Sequence, residues 1–177
     1  TSGPPFGYDL AAMRVRPRDA EQWDLSHLRA ACVGAEMISP DPLQRFAEAL
    51  APAGFKPSSY LPCYGMAECS LGISFAPLGQ ELSIDYIDAE HLQSNGEARP
   101  VNPETARDDG LRVARYVDCG IMLPTFEVSI RDEQGEELPE RHSGAIHVRG
   151  PSVMSGYFED EAATREARVV KILDKLE

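Results

Sequence analysis

Five consecutive residues, Tyr64-Gly65-Met66-Ala67-Glu68, bring an aromatic ring, a glycine and a carboxylate into one short string. A ring beside a glycine offers a flat stacking face next to backbone that another molecule can approach closely. A glutamate four residues further on is near enough to hold a hard cation on the same ligand. A nucleotide carrying a magnesium ion fits that description. The string alone fits equally a strand end with a half-buried tyrosine and a solvated glutamate. Gly34-Ala35-Glu36, read alone, is a strand-to-loop turn, and Phe6 and Tyr8 pass for ordinary packing aromatics.

The elements around these residues give the string a setting. Leu28 to Val33 is a compact apolar run ending at Gly34, the pattern of a buried strand in a parallel sheet. Ser39 followed by Pro40 starts a helix, with Leu43, Phe46, Ala47 and Leu50 at helical spacing and Gly54 beyond its end. Ser58 to Cys63 is the next strand, so strand, helix and strand make a parallel crossover unit whose ligands sit at the carboxyl ends of the strands. Upstream, Gly3-Pro4-Pro5 leads into an aromatic turn at Phe6-Gly7-Tyr8, and Asp19 to Trp23 reads as a short helix. Asp85 to Gly110 is polar and rich in turn formers, a surface excursion. Strand signals return at Val113–Val117, at Phe126, Val128 and Ile130, and at Ala145–Val148. The end, Asp160 to Glu177, is helical by pattern, with Val169, Val170, Leu173 and Leu176 on one stripe. The chain is thus expected to be α/β. Residues 1–76 form the parallel portion, 77–110 an insertion and connecting segment, 111–157 a small β-rich, barrel-like piece, and 158–177 a helical tail.

Composition narrows the function classes. With 177 residues, 42% of them hydrophobic, the chain has enough apolar material for a core. A formal charge of −12 leaves no basic stripe for a phosphate backbone, so no nucleic-acid partner is expected. No apolar run is long enough to span a bilayer and no signal-peptide pattern opens the chain, which points to a cytoplasmic protein without a membrane span. Cys32, Cys63, Cys69 and Cys119 lack metal-type spacing and read as free thiols. His27, His91, His142 and His147 are scattered and read as solvated.

Three strings occur in an order that carries a resemblance. Val33-Gly34-Ala35-Glu36-Met37, then Tyr64-Gly65-Met66-Ala67-Glu68, then the long run from Gly144 to Tyr157 resemble consecutive core motifs of the adenylate-forming (acyl-activating) superfamily. The opening Gly3-Pro4-Pro5-Phe6-Gly7-Tyr8-Asp9-Leu10 resembles that superfamily's fatty-acyl-AMP ligase branch. So do Ala67, where most relatives carry threonine, and the long stretch between Glu68 and Cys119-Gly120. The resemblance covers roughly residues 1 to 167 and implies part of the N-terminal domain of such an enzyme. It implies ATP and AMP as bound nucleotides and Mg as the metal. It places Gly34, Ala35 and Glu36 along the adenine and acyl pocket, with Gly65 and Met66 also on the nucleotide side. Tyr64 would stack on adenine, Glu68 would hold the magnesium, and Phe6, Tyr8 and Met66 would wall the acyl tunnel. Met154 to Tyr157 is structural, with Tyr157 packing inward.

The implied reaction joins a fatty acid to ATP, giving acyl-adenylate and pyrophosphate, with the acyl group then passed to an acyl carrier protein or polyketide synthase. In that branch, Asp85 to Gly110 would restrain the motion that admits coenzyme A. Several parts the superfamily uses are not in the string: the phosphate loop with its lysine, the Thr-Gly-Asp that supplies a ribose ligand, and the C-terminal lysine. The chain is therefore expected to be an internal piece, inactive by itself. Two other readings stay open, a piece of an acyl-CoA synthetase and a non-catalytic module that keeps the fold.

Overall fold

The computed structural model describes residues 1–106, 110–166 and 170–171. Along the chain run β1 (Ser2–Gly3), α1 (Pro5–Arg14), α2 (Pro17–Ala20), β2 (Ala31–Val33), α3 (Pro40–Leu50), β3 (Tyr60–Met66), β4 (Leu71–Phe75), β5 (Ile84–Asp88), α4 (Ala89–Asn95), β6 (Val113–Val117), β7 (Ile121–Met122), β8 (Glu127–Arg131), β9 (Ala145–Arg149), α5 (Glu161–Glu166) and β10 (Val170–Lys171). The chain divides into two compact units, each assembled from three segments. The first holds Thr1–Gly65, Gly72–Asp85 and Arg115–Ile121, and the second holds Met66–Leu71, Tyr86–Ala114 and Met122–Glu177. They are interleaved, unlike the consecutive divisions at 76, 110 and 157 expected from composition.

The first unit is built on a sheet in the order β1-β2-β3-β4-β7. β1 and β3 each pair in parallel with β2, Cys32 facing Ser2 on one side and Leu61 on the other. Ala31 and Val33 are fully buried, as the apolar run implied. Pro40 opens α3 at a position where its missing N–H costs nothing, and Gly54, in the left-handed region, closes the turn after it. The helix lays Leu43 and Leu50 on the core, with Phe46 and Ala47 against it. Four rings fill the space beside it: Tyr8 meets Phe46 edge to face at 5.0 Å, Phe46 meets Phe55 at 5.1 Å, and Phe55 meets Tyr60 at 5.1 Å. Each such pair contributes about 0.5–1.5 kcal/mol beyond the burial itself. Tyr60 donates its hydroxyl to Leu43 O at 2.7 Å, so the one polar atom of a buried ring is satisfied.

Residues 6–8 are helical and not the expected turn, because Pro5 stands at a first-turn position of α1, where proline is favoured. The same rule explains why the second helix is Pro17–Ala20 and not Asp19–Trp23.

In the second unit, β8 and β9 pair antiparallel over five residues, from Glu127 opposite Arg149 to Arg131 opposite Ala145. The turn after β8 is tied by Asp132, whose carboxylate accepts from the backbone of Gln134 and Glu136, both at 2.9 Å. The segment expected to be a surface excursion is folded. Asp88 caps α4 by accepting from the amides of Glu90 and His91, both at 3.0 Å, and Gly96 ends it in the left-handed region. Ile87, Leu92 and Ala106 of this stretch are buried. Of the helical tail, Glu161–Glu166 is α5, whereas Val170–Lys171 pairs antiparallel with Ala145–Ile146 as a strand. Val169, Leu173 and Leu176 of the expected stripe lie outside the described residues. No helix among the described residues is long and apolar enough to cross a membrane.

Candidate functional site

The candidate residues fall into two groups, one in each unit. In the first unit Gly34 follows β2 and packs flat on β3: a Cβ there would lie 2.8 Å from Cys63 O and 3.0 Å from Cys63 Sγ. Only glycine permits that approach. Ala35 is held at φ 69°, a left-handed conformation that side chains rarely adopt. Glu36 accepts from the backbone N–H of Phe6 at 2.9 Å, placing its carboxylate at the start of α1, where it satisfies an orphan helix amide. The loop after β2 is therefore shaped by its own packing, with Ala35 and Glu36 exposed at its tip.

Phe6 is 63% exposed on α1, while Tyr8, two residues later, is 5% exposed. Its ring sits edge to face with Phe46 and Tyr60, and its hydroxyl donates to Cys32 O at 2.8 Å. Burial pushes that phenol up to about 12. Tyr8 is a core ring of the first unit. Tyr64 and Gly65 end this unit's part of β3, both half-buried.

In the second unit Met66 leads into a tight turn at Ala67–Cys69 that carries Glu68. The exit from this turn is strained: Ser70 has φ 61° and Leu71, 74% exposed, has φ 137°. Such conformations persist only where the surroundings over-determine them. Here the surroundings come from the segment Ser152–Tyr157. Met154 N–H donates to Glu68 O at 2.7 Å, Ser152 Oγ to Cys69 O at 2.8 Å, and Ser70 Oγ to Ser152 O at 3.3 Å. The Tyr157 hydroxyl donates to the Glu68 carboxylate. That hydrogen bond holds the Glu68 carboxyl below the usual range and pushes the Tyr157 phenol up. Glu68 and Met66 border a cavity of about 250 Å³ whose other walls include Ile146, Val148, Val153 and Met154.

Among the described residues no group of three or more His, Cys, Asp and Glu side chains is arranged to hold a metal. A single ionised, half-buried carboxylate fits a magnesium ion that takes most of its ligands from phosphate oxygens and water.

The sequence missed Tyr157 as a partner of Glu68: it is 40% exposed at its expected inward-packing position, and its contact lies 89 residues away. His91, read as solvated, is paired with Glu97 at 3.1 Å.

A family profile described as AMP-binding enzyme matches residues 2–158. A putative acyl-CoA synthetase of Caulobacter vibrioides is 43% identical over 169 residues, which are 94% of this chain and 28% of that protein. Among solved structures, one from a study of fatty acyl-adenylate ligases from E. coli and L. pneumophila is 38% identical with a TM-score of 0.85, covering 93% of this chain and 29% of that one. The L. pneumophila fatty acyl-adenylate ligase in complex with acyl adenylate and pyrophosphate is 26% identical with a TM-score of 0.82, covering 93% of this chain and 28% of that one. The chain thus spans less than a third of the length of these proteins.

Proposed function

The chain belongs to the AMP-binding enzymes, and from that membership we propose that it is part of an ATP-dependent fatty-acyl-AMP ligase. The observation that carries this reading is the passage from β3 into the strained turn: the Tyr64 ring and Glu68 carboxylate stand on one short stretch, and Glu68 is tied through both its backbone and its side chain. A carboxylate attacking the α-phosphorus of ATP must approach another anion, so the site has to align the two and offset their charge. The fatty-acid oxygen forms a bond to the α-phosphorus while the bond to the bridging oxygen of pyrophosphate breaks.

In this reading Tyr64 offers its ring to adenine, Gly65 and the Gly34-Ala35-Glu36 loop let backbone come close to the nucleotide, and Glu68 holds magnesium. The metal, when bound, neutralises charge on the phosphate oxygens. Phe6, Tyr8 and Met66 would be the apolar contributors to an acyl channel, in which burial stabilises about 0.8 kcal/mol per methylene. The acyl group would pass to a carrier-protein thiol, with the segment from Asp85 to Gly110 restraining the motion that admits coenzyme A.

A second reading, acyl-CoA synthetase, is favoured by the name of the Caulobacter relative. Product analysis separates the two. With fatty acid, ATP, magnesium and either coenzyme A or a phosphopantetheinylated carrier protein, the full-length protein should make acyl-adenylate and load the carrier while making little acyl-CoA. Abundant acyl-CoA would establish the second reading. In the same protein Glu68→Gln should lower adenylation by about 2–4 kcal/mol of transition-state stabilisation, with the melting temperature almost unchanged. A full rate in that variant would remove Glu68 from the mechanism. Tyr64→Leu should instead raise the ATP concentration needed for half-maximal rate.

A further inference from the structure

We propose that Tyr157 is a positioning residue for Glu68, and that Ser152–Tyr157 is a brace fixing the Glu68 turn for one metal-binding geometry. The proposal rests on Glu68 being a magnesium ligand, as inferred above. The turn carrying Glu68 is short and leaves through two non-glycine residues at positive φ, so its own backbone preferences do not favour this shape. What holds it comes from one segment more than eighty residues later. Met154 N–H and Ser152 Oγ grip two successive carbonyls, those of Glu68 and Cys69, and Tyr157 grips the carboxylate.

The brace is itself anchored. The Tyr157 amide donates to Thr164 Oγ1 at 2.8 Å, and Thr164 Oγ1 donates in turn to Asp160 O at 2.6 Å. A Cβ at Gly156, whose φ is 156°, would stand 2.7 Å from Thr164 Cγ2, so a side chain there would displace the threonine that holds the brace. A series of fixed groups therefore runs from α5 to one carboxylate oxygen.

The chemistry of that contact is specific. A carboxylate has two oxygens with about four acceptor sites, and the Tyr157 hydroxyl takes one of those on Oε1, so that the carboxylate would turn its remaining lone pairs to a cation in one orientation. A hydrogen bond to a metal-ligating carboxylate sets which lone pair points at the ion and removes the entropy of letting the side chain rotate. Tyr157 never needs to touch nucleotide or metal to do this. It acts through Glu68 alone, and so should be silent once Glu68 can no longer bind the metal.

The full-length protein is tested with Tyr157→Phe, Ser152→Ala, Glu68→Gln and the Tyr157→Phe/Glu68→Gln double variant. Three readings are taken on each: the magnesium concentration giving half-maximal adenylation, the affinity for ATP by calorimetry with and without Mg²⁺, and the affinity for AMP without metal. Melting temperature is followed throughout. Loss of a hydrogen bond to a metal-ligating group weakens metal binding about 10-fold. Tyr157→Phe should therefore raise half-saturating magnesium about 10-fold, leave metal-free AMP binding and melting temperature unchanged, and add nothing in the Glu68→Gln background. Ser152→Ala, which releases a backbone carbonyl of the same turn, should shift the magnesium requirement in the same direction by less. If Glu68→Gln weakens magnesium-dependent binding while Tyr157→Phe does not, or if Tyr157→Phe weakens AMP binding equally, or if the two substitutions add, the positioning role is overturned and the metal role of Glu68 stands. If Glu68→Gln leaves magnesium dependence untouched, both ideas fall together.

Discussion

The core behind the sheet of the first unit and the Glu68 turn of the second are held by different forces. Around Tyr60 the first unit packs Tyr8 and Phe55 edge to face and Phe46 at a tilt, with Val33 and Leu43 fully buried. Around Glu68 the second unit relies on hydrogen bonds that tie Glu68, Cys69 and Ser70 to a segment more than eighty residues away. Apolar burial is non-directional and tolerates small errors of placement. Hydrogen bonds fix direction, which a metal-binding carboxylate needs and a core ring does not. The first arrangement supplies stability and the second supplies geometry, so substitutions in the two should show up in different measurements.

The hardest test of that division is Tyr60→Ala. Removing a ring that touches three others leaves a cavity and an unfilled contact surface, and the cost should be about 3–5 kcal/mol in chemical denaturation of the full-length protein. A loss under about 1 kcal/mol would mean that the aromatic cluster is not what holds the first unit.

Asp88→Ala asks the complementary question in the second unit. It removes the cap that satisfies two amides of α4 and should cost about 1 kcal/mol, with faster hydrogen exchange confined to Glu90, His91 and their neighbours. A cost as large as that of Tyr60→Ala would erase the contrast between the units.

The smallest expected effect concerns the Arg115–Asp41 pair, 2.5 Å apart and exposed on both sides. The hydrogen bond from Arg115 holds the Asp41 carboxyl below its usual range. Because the folded-state value is depressed, its contribution is present above the unfolded aspartate value of about 3.9 and is lost as pH falls through the folded one. Asp41→Asn should therefore cost about 0.5 kcal/mol at neutral pH. Melting curves of the variant and the original protein should converge as the solution is made acidic. A gap that widened on acidification would have the wrong sign for this pair.

What was readable in the sequence follows the same division. The strand ending at Val33 and the helix from Pro40 to Leu50 were legible because burial writes itself as runs and periodicity in adjacent residues. Helix α1 was misread because two prolines look like breakers, although one of them opens the helix. Helix α4 was passed over because its polar surface hid the signal, yet Asp88 before it and Gly96 after it are a readable pair of caps. Of the candidate residues, the strings around Gly34 and Glu68 could be found from residue types. Tyr8 was legible as a packing aromatic or a channel wall, and its surroundings depended on whether residues 6–8 form a helix or a turn. The Tyr157 contact could not be read, for no local pattern links positions 89 apart.

The interleaving of the two units governs how this protein can be recombined with its relatives. Three segments belong to each unit, and the first unit's last segment ends at Ile121. A chimaera with a single breakpoint just after Ile121 inherits the whole first unit from one parent, but takes the Glu68 turn and its brace from different parents. The grip of Met154 on Glu68 uses backbone atoms alone and survives any such exchange of side chains. The contacts of Ser152 and Tyr157 do not. Breakpoints in this region should therefore be chosen so that a serine and a tyrosine stand at those two positions in the incoming parent.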